Sequence, residues 1–240
     1  MSGPPVPAPL QVIPVLGIPE ITRGADLAGM VCDATELRDG DVVVVTQKIV
    51  SKAEGAVEAV DADDPLSHKV IVERESVRVL RRRGELVISE TRHGFVCANA
   101  GVDLSNVERG TAALLPEDSD RSARRIRDGI RARAGVRVGV IVSDTFGRPW
   151  RRGVTDVAIG SAGVRVVLDL RGTQDAYGRE LQVTEVALVD EIAAAAELVM
   201  GKATGVPVAV VRGLDPGVLT DEPASVRSDL VRPPADDLFR

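Results

Sequence analysis

The chain runs to 240 residues, 44% of them apolar and 28% charged, the proportions of an ordinary folded protein large enough to bury a sizeable core. Thirty basic residues against 36 acidic ones leave a formal charge of −6, so no global basic field attracts nucleic acid, and an aromatic content of 2% removes the stacking platforms of single-strand binders. Two distant cysteines, Cys32 and Cys97, can build neither a disulfide framework nor a Cys-rich zinc site, and no apolar run reaches the roughly 18 residues that span a bilayer, so a cytoplasmic protein with no membrane and no nucleic-acid partner is expected.

Residues 1–10 form a Pro-rich leader expected to be flexible. A short strand is expected over 11–16, broken at Pro14. It leads into Gly17-Ile18-Pro19-Glu20-Ile21, an extended turn whose backbone either lies against a ligand or simply leaves the strand. Residues 26–32 read as a helix, 38–41 as a turn, and 42–45 as a β-branched strand buried on both faces. That strand ends in Thr46-Gln47-Lys48-Ile49-Val50-Ser51-Lys52, which holds two of the four lysines in the chain. A lysine at a strand end suits a phosphate, and a solvated lysine is the plain alternative.

Asp64-Pro65 begins a helix carrying Leu66, Val70, Val77 and Leu80 as far as Arg81-Arg82-Arg83, cations that complement its C-terminal dipole. Strands at 86–88 and 95–98 flank a hairpin turn at 91–94. His68 and His93 read as structural or exposed residues. The loop 98–106 offers Asp103, Ser105 and Asn106, either for a cation and a ligand or for an Asx-type turn. Asp118 to Asp120 cap a helix with Ala123, Ile126, Ile130 and Ala134 on one face and arginines on the other, ended by Gly135.

The chain is organised around residues 138–160. A β-branched strand at 138–142 is expected to stop at Ser143-Asp144-Thr145, with Gly147 and Pro149 preventing regular continuation. Carboxylate plus hydroxyl suits a hard cation, and Arg148, Arg151 and Arg152 suit phosphate or carboxylate. The alternative is an Asp-Thr-x-Gly turn closing a hairpin, with solvated arginines. Thr155-Asp156 reads as a second acidic turn. Beyond it come a strand over 164–170 and a polar loop over 171–178. The longest helix follows, from Thr184 or Glu185 to Gly201, with Val186, Val189, Ile192, Ala193, Ala196 and Val199 inward. A strand over 206–211 and a loop-like remainder from 213 complete an α+β architecture, mixed sheets with interleaved helices.

No G-x-x-x-x-G-K-[ST], G-x-G-x-x-G, G-x-S-x-G or H-E-x-x-H pattern occurs; Met200-Gly201-Lys202-Ala203-Thr204-Gly205 is the nearest approach to the first and fails it. Asp103 and Asp144 with Thr145 could bind one or two Mg²⁺ or Mn²⁺ ions, while Lys52 and the arginines neutralise phosphate oxygens, as in metal-assisted phosphoryl transfer.

Several ordered blocks together resemble the coenzyme F420:L-glutamate ligase (F420-0:γ-glutamyl ligase) family. They are Leu16-Gly17-Ile18-Pro19-Glu20, the stretch from Asp39-Gly40-Asp41 to Ser51-Lys52, Ala100-Gly101-Val102-Asp103-Leu104-Ser105-Asn106, Ser143-Asp144-Thr145-Phe146-Gly147-Arg148, residues 152–160, and Thr184-Glu185-Val186-Ala187. The resemblance implies an intertwined homodimer of the family's α+β fold, with residues 11–213 as the ligase region in one or two subdomains. Residues 214–240 would be a C-terminal tail, without the reductase domain that actinobacterial relatives often carry. It implies GTP-dependent amide formation between the carboxylate of coenzyme F420-0 and L-glutamate through an acyl phosphate, followed by γ-linked glutamates. GTP, L-glutamate and F420-0 would be the substrates, with two Mg²⁺ or Mn²⁺ ions per site and K⁺ as a further cofactor. By similarity Ile18, Pro19, Glu20, Ile21, Gln47, Lys52 and Asn106 would contact GTP, Asp103 and Asp144 would hold metal, and Thr145 would hold a second metal. Gln47 stands where a small hydroxyl residue is expected, and Lys202 where a glutamine is. A metal-dependent nucleotide phosphotransferase or hydrolase using the same site is the alternative enzyme, and a non-catalytic nucleotide-binding module the alternative outside catalysis.

Overall fold

The computed structural model describes residues 9–237, so the leader expected at 1–10 falls almost wholly outside the described residues. The chain runs β1 (Gln11–Pro14), α1 (Leu27–Ala34), β2 (Val42–Thr46), α2 (Gln47–Glu54), β3 (Val57–Ala59), α3 (Lys69–Glu75), β4 (Ser76–Arg83), β5 (Leu86–Thr91), β6 (Val96–Ala98) and β7 (Thr111–Ala113). It continues α4 (Ser119–Ala134), β8 (Gly139–Gly147), β9 (Val154–Ala162), β10 (Leu168–Asp169), β11 (Glu185–Val186), α5 (Leu188–Met200), β12 (Val208–Arg212) and α6 (Val226–Asp229). The architecture is α+β.

The main sheet has five strands in the order β1-β12-β2-β8-β9. All its pairings are antiparallel except β2 with β8, which run parallel from Val42 opposite Gly139 to Thr46 opposite Ser143. The side chains of Val42, Val43, Val44 and Val45 are all fully buried, so the sheet is covered on both faces, as the unbroken β-branched run predicts. The α4 and α5 helices supply much of that cover. Asp118 caps α4 by accepting from the Arg121 N–H at 2.8 Å, and Gly135 ends it in the left-handed region at φ 71°. The Asp120 carboxylate accepts from the backbone of Ser161 and Val226 and from the Ser225 hydroxyl, tying α4 to β9 and to the segment before α6.

A second, smaller core lies under the β4-β5-β6 sheet and the β3-β7 pair, built from Ile71, Val72, Val87, Ala100, Val102, Ala112 and Leu114. The helix expected from Asp64 to Arg83 is realised only as α3; its second half is β4, paired with β5. Ser76 makes the break, donating its hydroxyl to the Val72 carbonyl at 2.6 Å and meeting the Ser89 hydroxyl at 2.8 Å. Cross-strand pairing, invisible to helical periodicity, outweighs the local pattern.

Four further elements differ from expectation. Only Leu168–Asp169 of the strand expected at 164–170 is a strand, paired with Glu185–Val186. That pairing takes up the residues expected to open α5, which begins at Leu188 and, at 13 residues, is shorter than the 16 of α4. The strand expected to stop at residues 143–145 continues as β8 to Gly147 and returns as β9, so Asp144 and Thr145 lie within a hairpin strand and the turn falls at 148–153. Asp156 belongs to β9, not to a turn.

Candidate functional site

The parallel pairing of β2 with β8 ends at Thr46 and Ser143, and the chain turns directly from β2 into α2. This is the carboxyl end of a parallel strand pair with a helix N-terminus beside it, the place where open sheets containing parallel strands collect ligands. A cleft of about 600 Å³ opens there. Ile18, Pro19, Glu20 and Ile21 line it from the segment after β1, and Thr46, Gln47, Lys48, Ile49 and Lys52 from the end of β2 and α2. Asn106, Val107 and Glu108 line it from the loop before β7, Ser143, Asp144, Thr145 and Asp156 from the β8-β9 hairpin, and Glu197, Gly201 and Lys202 from the end of α5.

The first turn of α2 enters the cleft without a side-chain cap from Thr46. Its leading N–H groups have no partner within the helix, and together with the helix dipole they make an anion site. Gln47 is buried in that turn. Its Nε2 donates to the Ser51 hydroxyl and the Leu114 carbonyl, each at 2.7 Å, so the side chain anchors α2 to the chain after β7. Lys52 pairs with Glu20 across the cleft. Asn106 holds the left-handed conformation at φ 55° and donates through Nδ2 to the Lys202 carbonyl at 3.1 Å, joining the loop before β7 to the loop after α5.

Along β8, alternation sends Asp144 to one face and Ser143 and Thr145 to the other. Asp103 stands near enough for its charge to raise the pKa of Asp144, and is reached after a reversal in which Asn99, Ala100 and Gly101 all take positive φ. The Lys48 ammonium lies 2.9 Å from the Asp103 carboxylate and donates to the Ser105 hydroxyl at 2.7 Å. Burial works against the charge on Asp103, but Lys48 and the Ser105 N–H outweigh it and hold its pKa below the ordinary carboxylate range. Asp144 is the contrary case. Burial pushes its pKa up to about 7, and the charges of Asp103 and Asp156 add to the shift against a hydrogen bond from the Thr145 N–H. On the second face Asp156 accepts from Ser143 Oγ at 2.8 Å and from Thr145 Oγ1 at 2.7 Å. Glu197 faces the same region, its pKa raised by burial and by Asp156 against the pull of Lys202 and Lys48.

Mutually repelling carboxylates beside a helix N-terminus call for a cation and an anion together. Among the described residues no three His, Cys, Asp or Glu side chains converge on a point that could hold a metal by themselves. Mg²⁺-type sites at phosphates are built otherwise, from one or two carboxylates completed by water and phosphate oxygens. Asp103, Asp144 and the Thr145 hydroxyl fit that donor set.

Every sequence-predicted nucleotide residue lines the one cleft with Asp144 and Thr145, while Asp103, paired with Lys48, is not among its lining residues. The arginines do not join them. Arg148, Arg151 and Arg152 sit at the exposed hairpin tip, where Arg148 donates to the Arg152 carbonyl at 3.2 Å. The sequence reading placed Lys48 at a strand end suited to phosphate and Ser143 and Asp156 at turns, but gave none of them a site role, and it passed over Glu197. The β-branched residues Val154, Thr155 and Val157 around Asp156 were a strand signal for it, whereas nothing in the periodicity of α5 marks Glu197.

The F420-0:Gamma-glutamyl ligase family model matches residues 16–213. The coenzyme F420:L-glutamate ligase of Methanopyrus kandleri is 44% identical over an alignment covering 96% of this chain and 98% of that protein. The protein of the same name from Methanothermobacter thermautotrophicus is 41% identical, covering 96% and 99%. That from Archaeoglobus fulgidus is 43% identical, covering 86% and 88%. With nearly the whole fold and every wall of the cleft inside these alignments, the chain belongs to the F420-0:gamma-glutamyl ligase family.

Proposed function

We propose that this chain is a GTP-dependent ligase in coenzyme F420 biosynthesis, joining the amine of L-glutamate to the carboxylate of F420-0 and then adding further glutamates through γ-linkages. Family membership over residues 16–213 carries the reading. The cleft supports it by bringing a helix N-terminus, three lysines and a set of carboxylates to one place.

A carboxylate resists attack by an amine until one of its oxygens becomes a leaving group. Transfer of the GTP γ-phosphoryl group to the F420-0 carboxylate forms an acyl phosphate and GDP. The glutamate nitrogen then bonds to the acyl carbon, the carbon–oxygen bond to phosphate breaks, and the amine proton is lost. Asp103, Asp144 and Thr145 would hold Mg²⁺ or Mn²⁺, which supplies charge neutralisation to the transferring phosphoryl group. The first turn of α2 offers backbone N–H groups to phosphate oxygens, and Lys52, held by Glu20, adds a positive charge. Ile18, Pro19 and Ile21 give the cleft an apolar wall suited to a base.

The test incubates the purified chain with Mg²⁺ or Mn²⁺, GTP, L-glutamate and F420-0 and follows the deazaflavin by mass. Addition of glutamyl residues with release of GDP is expected. GTP consumption with no adduct would overturn the ligase in favour of a phosphotransferase or hydrolase.

The chain is further proposed to act as a homodimer. The β4-β5-β6 region presents Val77, Val79, Leu86 and Val96 to solvent, an apolar surface that a second copy would cover. Light scattering that returns the mass of a single chain at micromolar concentration would remove this part.

A further inference from the structure

The reading of the cleft as a cation-assisted phosphate site, on which this inference rests, leaves Asp156 without a task. Its residue is 2% exposed, in β9 directly opposite Thr145. One carboxylate oxygen accepts from Thr145 Oγ1 at 2.7 Å and the other from Ser143 Oγ at 2.8 Å. Ser143 is fully buried, so its bond fixes the rotation of the carboxyl group and thereby the place of the oxygen that meets Thr145. A hydroxyl has one hydrogen and two lone pairs. With the hydrogen committed to Asp156, the lone pairs of Thr145 Oγ1 are turned away from β9. Thr145 itself lines the cleft.

We infer that Asp156 is a positioning residue: it holds the Thr145 hydroxyl with its lone pairs facing the cleft, ready to ligate a divalent cation. Ser143, Asp156 and Thr145 form a relay in which the buried serine sets the carboxylate and the carboxylate sets the ligand. Groups that orient a metal ligand in this way typically change metal affinity by about 10- to 100-fold when removed.

The test titrates Mn²⁺ calorimetrically into the purified full chain with a non-hydrolysable GTP analogue present, with circular dichroism as the check of folding. Asp156→Ala frees both hydroxyls and is expected to weaken Mn²⁺ binding about 10- to 100-fold. Asp156→Asn still presents a carbonyl oxygen to Thr145 while the Ser143 hydroxyl turns to accept from the amide, so a loss of no more than about 3-fold is expected. Wild-type affinity in Asp156→Ala would overturn the inference. So would Asp156→Asn as weak as Asp156→Ala, since the residue would then act through its charge alone. Should neither variant fold, Thr145→Val must lose affinity and Thr145→Ser must keep it; equal losses would show that the threonine methyl, not Asp156, fixes the hydroxyl. Absence of Mn²⁺ uptake by the unsubstituted chain would remove the reading of the cleft and the inference with it, whereas glutamyl transfer with an unaltered Asp156→Ala titration would remove the inference alone.

Discussion

Two aspartates show how differently one side chain can be used in this chain. Asp41 is 1% exposed and bidentate to Arg212, at 2.8 and 2.7 Å, while also accepting from the Arg38 N–H. It locks the turn before β2 to the end of β12. Removing one partner of such a pair leaves the other charge uncompensated, so Asp41→Asn is expected to cost about 3 kcal/mol, read as a lower urea midpoint with unchanged slope. Asp144, by contrast, has no basic side chain hydrogen-bonded to it among the described residues, and burial with two like charges raises its pKa to about 7. A carboxylate so placed contributes no ion pair to the fold, which accords with the proposed cation role. Asp144→Asn is therefore expected to keep the circular dichroism spectrum and melting temperature while glutamyl addition falls about 100-fold or more. Full activity in that variant would defeat its assignment to the cation.

At the scale of elements, the β8-β9 hairpin depends on one close approach. A Cβ on Gly160 would lie 2.3 Å from the backbone of Ser119, at the first turn of α4. Gly160→Ala must push α4 off the sheet, and a loss of about 1–3 kcal/mol is expected, measured by thermal or denaturant unfolding. Elements written in short-range chemistry were legible in the sequence: the caps of α4, the valine run of β2, and the turn between β5 and β6. Those that depend on distant partners were not. The stretch from Ser76 to Arg83 carries a passable helical pattern and becomes a strand because β5 pairs with it. The pairing of Leu168–Asp169 with Glu185–Val186 likewise overrides both neighbours' local preferences. The candidate site divides in the same way. Asp103, Asn106, Asp144 and Thr145 stand in polar, glycine-bearing stretches that announce themselves, whereas Asp156 and Glu197 enter the site only through the register of a hairpin and the packing of a helix. The arginines at the hairpin tip announced themselves equally and are elsewhere.

At the scale of the molecule, stability should depend on pH through its only two histidines. Both are buried, and both have pKa values lowered by that burial, with Lys69 adding to the effect at His68 and Arg92 at His93. A histidine whose pKa is lower folded than unfolded stabilises the fold above its unfolded value of about 6.5, and that contribution is lost as pH falls towards the folded value. Asp144, Asp190 and Glu197, whose pKa values are raised, work in the opposite sense, so the histidine contribution is read by difference. From pH 7 to pH 5 the melting temperature of His93→Gln is expected to rise relative to that of the wild-type chain; a difference constant over that window would contradict it. Because Asp144 leaves one face of β8 and Thr145 the other, the molecule is also unforgiving about length. One residue inserted between Ser143 and Asp144, past the register shift that β9 takes up at Val142 and Ser143, would exchange the two faces, sending the acid where the hydroxyl belongs. Residues added between Arg148 and Gly153 fall beyond both, at the tip of the hairpin. The same hairpin thus joins a segment that cannot change length by a single residue to one that can grow freely, with Phe146 and Gly147 as the boundary between them.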